Sequence, residues 1–146
     1  MPLSSKRFVV ETVPVVAILL FWNLLAWIAD FQNVGGSVRT AGLVMATLYV
    51  VVRGVALSAV VSPPTTLDVE SILRENARIA VPAGAWFVAA MAVAMVGSYV
   101  VELPRALALV ADSLASAGLG VVTLYAVAAG TSAVRGEVAD AATGDP

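Results

Sequence analysis

Apolar residues in this chain come in blocks, not at the intervals of a soluble amphipathic fold. Residues 8–29, 41–61, 79–101 and 106–130 each form an almost unbroken apolar stretch, close to the roughly 20 helical residues that cross a hydrocarbon core. Polar positions inside them are sparse. The first block carries Glu11, Thr12, Pro14 and Asn23, the second only the charge of Arg53, the third no charge, and the fourth only Asp112. Backbone groups in lipid must be satisfied within the segment, so each block is expected to be a helix despite its valine content. Lys6 and Arg7 ahead of the first block imitate a signal peptide. Its length, Glu11 and the lack of a small-residue cleavage site before Asp30 make it a retained span.

The connections set the topology. "ELPR" between the third and fourth blocks is so short that these helices must be antiparallel neighbours. "DFQNVGGSV" joins the first two, with Gly35 and Gly36 as turn punctuation. The middle connection is longer: Pro63 and Pro64 stop the second helix, and Thr65 to Asp68 has capping-box spacing. Beyond it, Val69, Ile72, Leu73 and Ala80 fall on one face, with Glu70, Arg74 and Arg78 at i, i+4 spacing on another. This predicts a short cytoplasmic amphipathic helix before the third span, either a solvated extension of that span or an interfacial, partner-docking element.

Lys6, Arg7, Arg74, Arg78 and Arg135 lie on one side of such a bundle, and Arg39 and Arg105 on the other. The excess of positive charge puts both termini in the cytoplasm. The expected architecture is all-α: an integral membrane antiparallel four-helix bundle over residues 1–130, followed by a mobile acidic cytoplasmic tail over 131–146.

Composition agrees with lipid as the solvent. Of 146 residues, 60% are hydrophobic and 12% charged, too little polar surface to cover a soluble globule. The chain has no cysteine and no histidine, which removes disulfides, thiolate nucleophiles and the usual haem and zinc ligands. No metal or cofactor is expected. With a net charge of −2, nucleic acid is not an expected partner. The acidic, lysine-poor, Ala/Val-rich composition resembles that of membrane proteins of halophilic archaea. Small multi-span proteins of haloarchaeal pleomorphic virus envelopes are similar in size and hydropathy, so a viral envelope stands beside the cell membrane as a location.

Candidate chemistry centres on the charge in the second block. A charged side chain deep in a bilayer is costly and needs protein or water around it. With the block ending at residue 61, Arg53 lies about 12 Å from the cytoplasmic end and Glu11 about 4.5 Å from it, whereas Asp112 and Asn23 share a level about 9 Å below the outer end. The tilt of Cβ toward the helix N-terminus favours Asp112 over Glu11 as the partner of Arg53. Tyr49 lies one turn before Arg53, and Trp86, at its depth, offers a ring face to the guanidinium. Arg53, Asp112, Asn23, Tyr49 and Trp86 thus form the candidate intramembrane cluster. It either cross-links helices or lines a wet cavity.

Asn23, Trp27 and Asp30 form a stripe that reads as an interfacial belt. Small residues recur at four-residue spacing in Ala90, Ala94 and Ser98, in Asp112, Ser116 and Gly120, and in Gly54 and Ser58. Such ridges permit close packing within the chain, against a second copy or against a membrane-protein partner. Ser113, Ser116 and Asp112 lack a base or metal cluster that would make an enzyme of them. The expected role is non-catalytic, as a structural or accessory subunit of a membrane complex or envelope. The alternative is a small channel or transporter using Arg53 and Asp112.

Overall fold

The computed structural model describes residues 5–59, 69–100 and 103–143. Among them the fold is all-helical: α1 (Ser5–Ala29), a single 3₁₀ turn (Asp30–Gln32), α2 (Gly35–Leu57), α3 (Val69–Tyr99) and α4 (Pro104–Thr143). Four helices among these residues are long and apolar enough to cross a membrane. The Pro63–Pro64 stop and the Thr65 to Asp68 capping box lie outside the described residues.

Helix boundaries differ from those expected in ways that matter for the site. α2 begins at Gly35 and ends at Leu57, so the second helix is shifted toward the N-terminus relative to 41–61. The chain reverses before it through Asn33, whose φ of 58° makes it the one non-glycine residue with positive φ among those described; asparagine tolerates this left-handed conformation better than most residues. Gly35 and Gly36 are therefore not the turn but the first turn of α2. Gly35 is glycine because a Cβ there would lie 2.6 Å from the Ala26 carbonyl oxygen.

α3 is one uninterrupted helix from Val69, passing through the buried Pro82. The amphipathic segment bearing Glu70, Arg74 and Arg78 is thus an extension of the third apolar helix and not a separate one. Pro104 occupies the first position of α4, where its missing N–H is no loss. α4 then continues for 40 residues, so the segment expected as a tail is helical through Thr143.

Packing follows seams built of three- and four-residue steps. On α1, Thr12, Val15, Leu19 and Ala26 are buried; on α4 the corresponding line is Ser113, Ala117, Val121, Leu124 and Ala128. Steps of three and four keep a stripe on one helical side. On α2 the buried positions are Gly35, Gly42, Ala46, Val50, Gly54 and Leu57. α1 and α4 each touch every other helix, whereas α2 and α3 do not touch. The core therefore forms along α1 and α4, with Val50, Leu57, Ala83, Val121, Leu124 and Ala128 in one cluster.

Glycines set the closest approaches. A Cβ on Gly54 would lie 2.8 Å from Val127 Cβ and 3.2 Å from the Leu124 carbonyl, and one on Gly118 would meet the Phe87 ring and the Ala83 carbonyl. On α3 the inward small residues are Ala83 and Ala90, with Gly97 against Leu107. Ala94 and Ser98 of the expected ridge are exposed, because a seven-residue seam, not a four-residue one, faces α4. Large apolar side chains such as Phe21, Leu43, Val52, Val88, Met91 and Leu119 are exposed around the outside.

Candidate functional site

Arg53 meets Glu11. Its Nε donates to Glu11 Oε2 and its Nη2 to Glu11 Oε1, both at 2.6 Å, closing a two-bond ion pair between α2 and α1. Bidentate charge-assisted pairs of this kind are the strong, directional members of their class. The expected partner, Asp112, is elsewhere. The reason is the helix boundaries: with α2 ending at Leu57 and α1 starting at Ser5, Arg53 lies about 6 Å and Glu11 about 9 Å from their helix ends instead of about 12 and 4.5 Å, which brings them within about 3 Å in depth. Shifts of three and four residues in two helix ends change the partner.

Tyr49 joins the same cluster, donating its hydroxyl to the Glu11 carbonyl at 3.3 Å. Trp86 is nearby but does not take the guanidinium on its face. Its indole N–H donates to Thr12 Oγ1 at 2.9 Å, next in sequence to Glu11. The Glu11 side chain is 12% exposed and that of Arg53 41%, so the carboxylate is held inside the helix pair while the guanidinium reaches its rim. Ile18, Met45, Tyr49 and Arg53 line a shallow groove of about 370 Å³ there.

Thr12, Ser58 and Ser113 are the buried polar residues among those described, and they share a design. Each hydroxyl donates to a carbonyl of its own chain segment and accepts from a neighbouring helix. Thr12 donates to the Val9 carbonyl at 2.9 Å and accepts from Trp86. Ser113 donates to the Leu109 carbonyl at 2.8 Å and accepts from Asn23 Nδ2 at 3.1 Å. Ser58 donates to the Val55 carbonyl at 2.7 Å and accepts from Arg135 Nη1 at 2.9 Å. A hydroxyl can do both at once. Among the described residues no buried side-chain polar atom lacks a partner.

Asp112 and Asn23 both border a second region, an open cavity of about 820 Å³ near the Asp30 end of the fold. Arg39, Thr40 and Trp22 border it too. The expected cluster is thus divided: Arg53, Tyr49 and Trp86 stand near Glu11 and Thr12, while Asn23 and Asp112 lie at the opposite end. Asp30 anchors that end, with Arg105 Nη2 at 3.3 Å and Arg39 Nη2 at 4.0 Å from its Oδ2.

In the N-terminal part of α3, Glu70 and Arg74 pair at 3.2 Å with side chains 79% and 81% exposed. Arg78 pairs with Glu75 at 3.4 Å, and Glu75 also engages the Tyr125 hydroxyl of α4. Only Glu70 and Arg74 of the expected docking trio therefore project freely outward; Arg78 is held back toward α4.

The sequence does not single out Glu75, and it presents Thr12, Arg39 and Ser113 only as a polar position, a loop charge and a hydroxyl without a base, not as cross-linking or cavity residues. Ser113 carried a signal, since it is in phase with Ala117, Val121 and Leu124, whereas Asp112 is one residue out of phase with that seam. No protein-family model, curated protein or solved structure matches the chain.

Proposed function

We propose that the chain is a multi-pass membrane protein, an antiparallel four-helix bundle with both termini cytoplasmic, acting as a non-catalytic structural or accessory subunit of a membrane complex or envelope. The observation that carries this reading is that polar side chains within the apolar helices pair with neighbouring helices: Arg53 with Glu11, Trp86 with Thr12 and Asn23 with Ser113. Polar groups used in this way hold a bundle together in lipid. Arg53 fits the same view. Near the end of α2, its stem can follow the apolar surface while the guanidinium reaches the headgroups, still paired.

The exposed apolar belt and the cytoplasmic bias of Lys6, Arg7, Arg74, Arg78 and Arg135 support insertion with this orientation. α4 is about 60 Å long, twice the hydrocarbon thickness, so its C-terminal half extends into the cytoplasm beside the start of α3. Channel or transporter function through Arg53 and Asp112 would need one shared cavity. Arg53 borders the α1–α2 groove and Asp112 the cavity at the other end, which favours the structural reading.

Two measurements test the proposal. The chain contains no cysteine, so Ser37→Cys and Ala133→Cys each introduce one reporter thiol. An impermeant maleimide added to intact cells should label Ser37→Cys and spare Ala133→Cys until the membrane is opened. Purified protein in liposomes should pass ions and small solutes no faster than empty vesicles. Flux lost in both Arg53→Ala and Asp112→Asn would replace the structural role with a conducting one.

A further inference from the structure

The cavity bordered by Arg39 and Asp112 does not end at its polar mouth. It adjoins a second, apolar cavity of about 170 Å³ deeper between α2 and α4, and Leu19, Leu43, Ser116 and Leu119 border both. The deeper part runs past Ala46, Val50 and Gly120. α2 and α4 meet closely at one end, where Gly54 lies against Leu124 and Val127, and at the other the largely exposed Leu43 and Leu119 stand at the edge of both cavities.

We propose that this crevice binds one phospholipid with an ethanolamine headgroup, its phosphate on Arg39, its ammonium on Asp112 and part of an acyl chain in the apolar extension. The inference rests on the membrane placement proposed above. Charge complementarity selects the ligand class. Arg39 can offer N–H donors to a phosphate, because Asp30 lies closer to Arg105 than to Arg39 and the Arg39 side chain is 52% exposed. Asp112 supplies acceptors to a headgroup N–H, and Asn23 and Thr40 add neutral polar groups at the same mouth. An apolar slot leading from a zwitterion-matching mouth suits an amphiphile better than a free ion. At the expected outer end of α2, Arg39 lies at headgroup level and Val50 at acyl-chain level.

Trp22 borders the mouth and reports occupancy. In Trp27→Phe/Trp86→Phe protein, Trp22 is the remaining tryptophan of three. Reconstituted into phosphatidylcholine with increasing brominated phosphatidylethanolamine, it should be quenched with a relative affinity of about five over brominated phosphatidylcholine. Asp112→Asn should bring that ratio to about one, since choline has no N–H and the discrimination is lost. Arg39→Gln should weaken both lipids, and inorganic phosphate should displace neither. The unsubstituted chain provides a second readout: native mass spectrometry should show one retained phosphatidylethanolamine, lost in Arg39→Gln.

A ratio of one before substitution, or one unmoved by Asp112→Asn, overturns the site. Displacement by inorganic phosphate overturns the lipid as occupant. Protection of Trp22 from every brominated lipid, with a crosslinked dimer, places a second copy in the crevice and overturns it also. If no tryptophan of the unsubstituted chain is quenched by any brominated lipid, the membrane reading fails as well, an outcome distinct from equal quenching by all lipids.

Discussion

The two ends of the helix bundle solve opposite problems. At the end holding Glu11 and Arg53, helices meet backbone to side chain: Gly54 sits against Leu124 and Val127, and Leu57 and Ala128 belong to the core. Its polar groups are matched, Arg53 with Glu11 and Ser58 with Arg135. At the Asp30 end, Leu19, Leu43, Leu119 and Trp22 border a cavity of about 820 Å³, and Arg39 and Asp112 border it too. At the first end a glycine on α2 lets its axis approach α4, and at the second the close glycine contacts of α2 are made with α1 instead. Low polarity does not make a region structural, nor does a charge make it functional. The most conspicuous charge, Arg53, is tied down, and the less conspicuous Arg39 is available.

The sharpest way to break the contrast is one substitution made at both ends of α2. Gly54→Ala places a methyl 2.8 Å from Val127 Cβ and 3.2 Å from a backbone carbonyl, so α2 and α4 must separate. The expected loss is about 2 kcal/mol, as for overpacked cores, read as a lower midpoint in detergent unfolding. Gly36→Ala meets nothing within 4 Å and should change stability by less than about 0.5 kcal/mol, or raise it through helix propensity. Equal effects at the two positions would mean that the two ends of α2 are packed alike.

The ion pair gives the next effect. Arg53→Met and Glu11→Gln should each cost about 1.5 kcal/mol, the low end for bonds to charged groups because the guanidinium is 41% exposed. Together they should cost about 1 kcal/mol less than their sum, which a double-mutant cycle in the same unfolding assay measures. Arg53→Met combined with Asp112→Asn should instead be additive. A coupling between Arg53 and Asp112 as large as that with Glu11 would restore the partner expected from the sequence.

The four apolar helices were legible because a run of that length with at most one charge has few other uses. The partner of Arg53 was not, and the cause is specific. The residues from Gly35 to Thr40 look like a loop by composition, yet the left-handed Asn33 comes before them and Gly35 serves a close approach at the start of the helix. Depth along a helix changes by about 1.5 Å for each misplaced residue, so a partner argued from depth fails once a boundary is wrong by a turn. Phase is sturdier than depth. Ser113 lies on the seam with Ala117 and Val121, and reading phase first would have paired Asn23 with Ser113, leaving Asp112 beside the cavity.

Two smaller effects separate a cross-link from an ornament. Asn23→Leu should cost about 1 kcal/mol, near the usual strength of an interhelical hydrogen bond in membranes, because Ser113 keeps its bond to the Leu109 carbonyl and loses only the amide. Ser113→Ala should cost about the same and add little to Asn23→Leu. The Glu70–Arg74 pair has the same charges as Glu11–Arg53 but stands 79% and 81% exposed on an extension of α3. Arg74→Ala should therefore shift the unfolding midpoint by no more than a few tenths of a kcal/mol. A larger loss would show that the start of α3 packs on a surface that the isolated chain does not supply, and would turn its free charges from a solvated face into a docking one.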